Sequence, residues 1–146
     1  MTLTGIVARY IDAWNDHDAD ACAACFAPGG ERVWQVMSPP SVRGDPFPRF
    51  VGRVAIAAPI RALIESIPDL SVEVTALSEG SDERVWIEWR LTGTHEPDPG
   101  ASHARGEPVD FVGVSIFRVE SGRISEERAY WDTMLMGGRP LEAPAV

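Results

Sequence analysis

The stretch from Val109 to Asp132, VDFVGVSIFRVESGRISEERAYWD, decides the fold of this chain. Apolar and polar residues alternate along it with a period of two, which is typical of β-strands whose two faces meet different surroundings. The group ESGR interrupts the alternation over a length that suits a hairpin. We therefore predict two antiparallel strands, one on each side of ESGR.

Two stretches upstream alternate in the same way, LSVEVTALSEG from residue 70 and RVWIEWRLTGTH from residue 84. The group GSDE separates them at hairpin length, and the polar segment EPDPGASHARGEP (96–108) separates the second from the strand that follows. We predict four strands in this part of the chain, with antiparallel neighbours.

The N-terminal part of the chain changes to helical spacing. A first helix is predicted from Thr4, because its apolar residues recur every three to four positions. These residues are Ile6, Val7, Tyr10, Ile11 and Trp14. A second, short helix is predicted from Ala19 to Phe26, ended by a turn at Pro28-Gly29-Gly30.

The middle of the chain has the pattern of a strand, then a loop, then a helix. ERVWQVM (31–37) predicts a short strand, and SPPSVRGDPFPRFVGR (38–53) predicts a long loop that could serve as a lid. A third helix is predicted from Ala57 to Ile67, starting there because Pro59 is tolerated in the first turn. Helices followed by a run of strands indicate a single α+β domain over residues 1–146, and we expect 137–146 to form a flexible tail.

Composition and charge restrict the classes of function that this chain can have. The chain of 146 residues is 45% hydrophobic and 24% charged, as in soluble globular proteins, and its formal charge of −9 disfavours nucleic-acid binding. No apolar run approaches a membrane span or a signal segment, so we expect a cytoplasmic protein that does not bind membranes. No phosphate loop, nucleotide fingerprint or metal cluster is present, and we expect neither cofactor nor metal.

Cys22 and Cys25 have the CxxC spacing of redox and zinc sites. They lie in DADACAACFA, a helical pattern of small residues without a second CxxC or a nearby histidine. We favour two buried core thiols, because free cysteine packs as a small hydrophobe.

The order of these pieces resembles the SnoaL-like branch of the nuclear transport factor 2 superfamily. The resemblance rests on YIDAWNDHDADACAACFAP, VGRVAIAAPIRAL, VWIEWRLTGTH and VSIFRVESGRISEERAYWD, and it covers nearly the whole chain. It implies a conical α+β fold with helices on a curved antiparallel sheet, a deep apolar pocket and a common dimeric state. Relatives by fold include polyketide cyclases, ketosteroid isomerase and limonene-type epoxide hydrolases, so the resemblance specifies fold more than reaction.

Most catalytic residues of these relatives are absent. The last-strand acid of the cyclases and epoxide hydrolases falls at Ala129, and the acid or histidine of the preceding strand falls near Ser115. The isomerase base would fall near Gln35. Of the isomerase residues only the tyrosine of the first helix is retained, as Tyr10.

The epoxide hydrolase residues are also replaced. Their water-holding tyrosine and asparagine fall on Trp34 and Val36, and the arginine and aspartate of their middle strand fall on Trp89 and Leu91. The resemblance therefore disfavours an epoxide hydrolase.

Alternation in the last strand places Ser125, Glu127, Ala129 and Trp131 on one face. If the family alignment holds, this face lines the pocket. The same reasoning predicts further inward residues, namely Tyr10, Trp14, Trp34, Val36, Val85, Ile87, Trp89, Leu91, Gly93, His95, Phe111, Gly113, Ser115 and Phe117.

Our hypothesis gives Glu127 the role of general acid or base, since burial among aromatic rings disfavours a charged carboxylate. His95 at the pocket mouth would be its partner. Tyr10 or Ser115 would hydrogen-bond a carbonyl or enolate oxygen of the substrate. The alternative is that Glu127 pairs with a nearby arginine and stabilises the sheet.

Other polar residues have structural explanations. Asp132 falls on the opposite face at the strand end, where it suits a chain reversal or a subunit contact, and His17 and His103 lie in polar connections. The tryptophans can be core or ligand-stacking residues. The opposite face mixes apolar and charged side chains, which predicts a homodimer formed sheet to sheet.

The sequence thus favours a cofactor-free enzyme that cyclises or isomerises a small, hydrophobic, polyketide-like substrate. A non-catalytic domain that holds a hydrophobic ligand in the same pocket remains the alternative.

Overall fold

A computed structural model describes residues 2–35, 47–96 and 106–131 of the chain. These ranges contain three helices and six strands. The helices are α1 (Leu3–Asn15), α2 (Ala19–Ala24) and α3 (Arg53–Ser66). The strands are β1 (Phe26–Trp34), β2 (Arg49–Val51), β3 (Ser71–Glu79), β4 (Arg84–His95), β5 (Glu107–Glu120) and β6 (Arg123–Trp131).

The strands form one sheet in the order β2-β1-β6-β5-β4-β3. Strands β3 to β6 pair with antiparallel neighbours, which confirms that prediction. Strand β1 pairs antiparallel with β2 but parallel with β6, so the sheet is mixed rather than purely antiparallel. The predicted α+β class is confirmed, with the N-terminal helices packed on one face of the sheet.

Helix α1 lays one apolar face against the sheet, as its spacing predicts. The side chain of Thr2 accepts a hydrogen bond from the Gly5 amide and caps the helix start. The chain reverses at His17, whose φ of 56° is left-handed, and Asp18 then caps α2 at the Ala21 amide. The short polar segment between the two helices is thus a turn with a second cap built into it.

The predicted turn at Pro28-Gly29-Gly30 is wrong, because these residues lie inside β1. Helix α2 ends at Ala24, and the strand begins at Phe26. The register between β1 and β6 shifts between Phe26 and Glu31, so the stretch is irregular and needs no regular ladder bond from a proline. A side chain at Gly30 would meet the Ile124 carbonyl oxygen at 3.0 Å, which explains a glycine there.

Two predictions for the middle of the chain also need correction. Helix α3 starts at Arg53 rather than Ala57, so Pro59 lies in its interior. Burial of Ile56 and Ile60 on the core side outweighs the helix bond that a proline removes. The predicted loop contains strand β2, which extends the sheet beyond β1. The remaining loop residues 38–46 lie outside the described ranges, as do most of 96–108 and the tail 137–146.

Side-chain alternation sorts the sheet into an inner face beneath the helices and an outer face turned away from them. In β4 the inner residues Val85, Ile87 and Leu91 are buried, whereas Trp86 is 44% exposed. In β6 the predicted alternation holds from Glu127 to Trp131 but fails at Ser125. Because the register shifts opposite Arg118 and Val119, Ile124 joins the core and Ser125 donates instead to the Arg118 carbonyl.

Candidate active site

A cavity of about 300 Å³ lies between the helices and the inner face of the sheet. Helices α1 and α3 contribute Tyr10, Ile11, Trp14, Pro59, Ala62, Leu63 and Ser66. The sheet contributes Arg32, Trp34, Val72, Ile87, Trp89, Leu91, Phe111, Ser115, Glu127 and Trp131. The described lining is therefore mostly apolar and aromatic, with a small polar cluster on its sheet side.

Most of the predicted site residues meet in this cavity. Glu127, Tyr10 and Ser115 line it together. So do Trp14, Trp34, Trp89, Leu91, Phe111 and Trp131. Phe117 and Ala129 are buried but are not among the lining residues, and Val36 lies outside the described residues.

The prediction that His95 partners Glu127 is wrong. His95 lies at the end of β4 opposite Glu107, and its Nδ1 contacts the Glu96 carbonyl oxygen at 2.9 Å. A Cβ on Gly93 would fall 2.4 Å from the Ile67 side chain and 3.3 Å from the Leu70 backbone. The turn after α3 therefore covers the inner face between the cavity and His95.

Three polar residues were predicted to have structural roles, and the structure describes one of them, His17. Exposed His17 contacts the Leu70 carbonyl oxygen through Nε2 at 2.7 Å, which ties the turn between α1 and α2 to the residue before β3. His103 and Asp132 lie outside the described residues.

Glu127 is the centre of the polar cluster, and it is only 3% exposed. Its Oε1 accepts hydrogen bonds from the Tyr10 hydroxyl at 2.7 Å and from Arg32 Nε at 2.9 Å. Its Oε2 accepts a hydrogen bond from the Ser115 hydroxyl at 2.8 Å. Three donors from three different elements thus hold one buried carboxylate at the cavity surface.

Arg32 is the site residue that the sequence reasoning missed. It lies on β1 and is 8% exposed, and its guanidinium carbon is 5.6 Å from the centre of the Trp14 ring. The missed signal is the alternation of ERVW: placing Trp34 in the pocket also places Arg32 there. The arginine partner considered for Glu127 therefore exists, and it belongs to the cavity itself.

Two members of this cluster, Arg32 and Tyr10, keep their protons at neutral pH. Burial lowers the pKa of the Arg32 guanidinium, but electrostatic interaction with Tyr10 and Glu127, and the hydrogen bond to Glu127, outweigh burial and raise that pKa overall. Burial first, and the Glu127 carboxylate second, raise the pKa of the Tyr10 hydroxyl well above its usual range. Arg32 is thus a fixed cation, and Tyr10 is a fixed hydrogen-bond donor at neutral pH.

Tyr10 and Ser115 were expected to bind a substrate oxygen directly, and the structure assigns their hydrogens elsewhere. Both hydroxyls donate to Glu127. Ser115 Oγ in turn accepts a hydrogen bond from Trp89 Nε1 at 3.0 Å. The two hydroxyls therefore orient the carboxylate instead of offering a free donor to a ligand.

Aromatic rings form the walls on either side of the polar cluster. Trp34 packs edge to face on Trp131, with ring centres 5.3 Å apart, and Trp89 packs on Phe111 at 5.7 Å. The indole nitrogens of Trp34 and Trp131 are buried and have no hydrogen-bond partner among the described residues. Trp89 lies over Gly113, where an added Cβ would fall 2.2 Å from its Cζ2. Large rings thus fix the shape of the cavity.

The CxxC pair belongs to the core, as predicted. Cys22 and Cys25 are free thiols that are 0% and 4% exposed. Burial raises the pKa of both thiols, and for Cys22 the neighbouring Cys25 adds to this effect.

Within the part of the chain that the structure describes, no three His, Cys, Asp or Glu side chains converge as metal ligands would. None of the described helices combines the length and apolar character needed to cross a bilayer.

Comparison with known proteins agrees with this architecture. A family model described as a SnoaL-like domain matches residues 7–127. No curated protein matches the chain significantly in sequence.

Solved structures with the same fold cover nearly the whole chain. A protein from Jannaschia sp. CCS1, proposed to be a SnoaL-like polyketide cyclase, has 21% identity and a TM-score of 0.71, over 94% of this chain and 93% of that one. A proposed polyketide cyclase from Xanthomonas campestris pv. campestris has 22% identity and a TM-score of 0.71, over 95% and 96%.

A third structure is the epoxide hydrolase/cyclase-like enzyme SalBIII of pyran ring formation in the polyether salinomycin. It has 22% identity and a TM-score of 0.69, over 91% of this chain and 92% of that one. Likeness at these identities shows a shared fold and leaves the reaction to be argued from the site.

Proposed function

Because this chain belongs to the SnoaL-like domain family, we propose that it is a small-molecule enzyme that cyclises or isomerises a largely apolar, polyketide-like carbonyl compound. In this proposal the side chains of the cavity supply the acid–base chemistry. The observation that carries it is the buried cluster in which Tyr10, Arg32 and Ser115 hold Glu127 at the cavity surface.

Stability alone is a poor reason for this cluster. Moving a carboxylate and a guanidinium out of water costs several kcal/mol per ion even after relaxation. Well-packed apolar side chains of similar volume are often as stabilising, and the surrounding core is apolar. Buried ionised groups at the wall of a cavity are instead typical of sites that move protons.

The proposed step is proton transfer from carbon. Glu127 takes the proton from a carbon next to a substrate carbonyl, and the electron pair of the broken C–H bond forms an enolate. In a cyclisation the enolate carbon then bonds to a second carbonyl carbon of the same molecule, and the resulting alkoxide takes the proton back from Glu127. In an isomerisation the proton returns to a different carbon. Tyr10 and Ser115 hold the carboxylate in place during both transfers.

The shape of the cavity and the neighbouring folds support a ring-forming reaction. An apolar wall of aromatic rings around one polar point suits a folded, mostly hydrocarbon substrate held in a reactive conformation. Two structural neighbours are proposed polyketide cyclases, and a third is named for pyran ring formation.

A second candidate function is the binding of a hydrophobic ligand without turnover. It is favoured by the three donors already bonded to Glu127, because they occupy both oxygens of the carboxylate. It is also favoured by the buried Ala129, at the position where cyclase relatives carry an acid.

The two functions are separated by following hydrogen exchange at carbon. We expect the wild-type protein in D2O to accelerate deuterium incorporation next to the carbonyl of 2-tetralone, a bicyclic apolar ketone, as measured by NMR. Glu127→Gln removes the proton acceptor but keeps its size, so the acceleration should fall by about a hundredfold or more.

The matched control is Asp110→Asn, an acid-to-amide change at an exposed carboxylate on the outer face. It should leave the exchange rate unchanged. Equal rates for wild type and Glu127→Gln would remove Glu127 from the mechanism. Binding of 2-tetralone without accelerated exchange would favour the second candidate.

A further inference from the structure

Some hydrogen-bond donors in the described cavity lining already have an acceptor within the protein, and others do not. The hydroxyls of Tyr10 and Ser115 donate to Glu127, and the hydroxyl of Ser66 donates to the Leu63 carbonyl oxygen. The indole N–H of Trp89 donates to Ser115. These hydrogens are therefore not available to a ligand without breaking an existing bond.

The indole N–H groups of Trp34 and Trp131 have no partner among the described residues, but they are neutral donors. Arg32 differs from all of these donors by its charge. Its bond to Glu127 uses Nε, and within residues 2–35, 47–96 and 106–131 neither terminal nitrogen of the guanidinium has a hydrogen-bond acceptor. The group is planar, permanently charged and rich in N–H donors. Packing over the Trp14 ring and a side-chain exposure of 10% restrict its orientation. A positioned cation with spare donors at an apolar cavity is a binding point for an oxygen atom.

Resting on the proposed function, we infer that the terminal nitrogens of Arg32 bind the carbonyl oxygen of the substrate, and that the cavity selects a neutral carbonyl compound against a carboxylate. Arg32 is then the specificity-determining residue of the site, and Glu127 decides the charge that the ligand can carry.

The selectivity follows from adding the charges. Arg32 and Glu127 cancel each other in a buried site, and a neutral ketone keeps the total at zero. A bound carboxylate would place a second negative charge beside Glu127, where low exposure leaves little solvent to screen the repulsion. The arginine alone would attract a carboxylate, but the pair does not.

The same sum explains how an enolate could be accommodated. When the proton passes from the substrate carbon to Glu127, the carboxyl becomes neutral and the negative charge moves to the substrate oxygen. The total charge of the site stays at zero, and Arg32 faces one negative group before and after the transfer. No charge enters or leaves the apolar surroundings, so the transfer avoids a desolvation cost.

Two probes of nearly equal shape test this inference by binding alone. They are 4-phenylbutan-2-one, a neutral methyl ketone, and 3-phenylpropanoate, in which a carboxylate replaces the acetyl group. We expect wild type to bind the ketone at least about tenfold more tightly by calorimetry at neutral pH. Wild type that binds the carboxylate as tightly as the ketone, or binds neither probe, overturns the inference.

Variants then assign the selectivity to the two residues. In Glu127→Gln, Arg32 is an unbalanced cation, and the preference should reverse in favour of 3-phenylpropanoate. In the double variant Arg32→Met/Glu127→Gln no buried charge remains to destabilise the fold, and ketone affinity should fall about tenfold. The control Arg61→Met removes an exposed arginine paired with Asp20 and should change neither affinity. Unchanged ketone affinity in the double variant, or an unchanged preference in Glu127→Gln, overturns the inference.

These outcomes are independent of turnover. A protein that selects the ketone but does not accelerate deuterium exchange would retain this inference and lose the proposed catalysis. A protein that accelerates exchange through Glu127 but binds both probes equally would keep the catalysis and lose the role of Arg32.

Discussion

Two arginine–carboxylate pairs lie on opposite faces of the same sheet, and they differ in geometry and surroundings. On the outer face, Arg90 binds Asp110 through two hydrogen bonds of 2.8 and 2.6 Å, with both side chains about half exposed. On the inner face, Arg32 binds Glu127 through one hydrogen bond of 2.9 Å, with side chains 10% and 4% exposed. The outer pair has the better geometry, and the inner pair has almost no solvent.

Surroundings outweigh hydrogen-bond geometry in what each pair contributes to stability. Water and salt screen the outer pair, and each of its ions would be well solvated if the other were removed. Water cannot solvate either ion of the inner pair in this way. Removing one ion would therefore leave the other as an unpaired buried charge. The stability of the fold and the charge of the cavity therefore depend on the same two residues of the inner pair. The outer pair affects neither to the same extent.

The largest expected effect comes from removing one member of the inner pair. Glu127→Ala leaves Arg32 as an unpaired buried cation and should lower the free energy of unfolding by about 3–5 kcal/mol, measured by urea denaturation. Arg32→Met/Glu127→Leu replaces both ions with apolar side chains. It should recover most of the lost stability. Ketone affinity should stay low in this variant, because the arginine that binds the carbonyl oxygen is gone.

The outer pair is the matched comparison. Asp110→Ala should lower the free energy of unfolding far less than Glu127→Ala does, even though it breaks two hydrogen bonds instead of one. If both alanine variants lost the same stability, solvent exposure would not be what distinguishes the two faces.

A smaller effect is expected from adding one methyl group to the inner face. Gly113→Ala would place a Cβ 2.2 Å from Trp89 Cζ2, so the ring must turn. Overpacking of this kind should cost about 1–3 kcal/mol by urea denaturation. It should also weaken ketone binding, because Trp89 forms a wall of the cavity and donates to Ser115.

Gly29→Ala is the control for that substitution. A Cβ at Gly29 would meet nothing within 4 Å, so stability and ketone affinity should stay at their wild-type values. A similar loss in both variants would mean that the glycine backbone, and not contact with Trp89, sets the cost.

The strands could be predicted from the sequence, and the irregular first half could not. Strand β4 has the predicted bounds, because Arg84 to His95 alternates cleanly and turn residues flank it. Local rules failed at Pro28-Gly29-Gly30 and at Pro59, where tertiary pairing and core packing override the preference of a proline or glycine. The parallel pairing of β1 with β6 leaves no local signature at all.

For the candidate site, alternation correctly predicted which face of each strand is turned inward. It could not predict where along a strand the cavity ends. It placed Glu127 inside, and the structure does the same. It also placed His95 inside, because the period of a strand does not show that Ile67 and Leu70 close the cavity before that residue. Arg32 was missed because a charged side chain is seldom buried, and only its alternation with Trp34 indicates that it lies on the inner face.

The smallest expected effect concerns the outer face as a contact surface. Trp86, Val112 and Tyr130 are 44%, 49% and 36% exposed there, among the charged residues Glu88 and Arg90. We propose that this face meets the same face of a second copy, because a two-fold axis would bury the apolar side chains and bring charges of opposite sign together.

Light scattering at micromolar concentration should then give the mass of a dimer, and Trp86→Ala should weaken that dimer by about tenfold, or roughly 1.4 kcal/mol. Ketone affinity should not change, since Trp86 is on the outer face and is not among the cavity residues. A wild-type monomer would show that the outer face tolerates its exposed aromatic residues in water. The contrast between a closed inner face and an open outer face would then be complete.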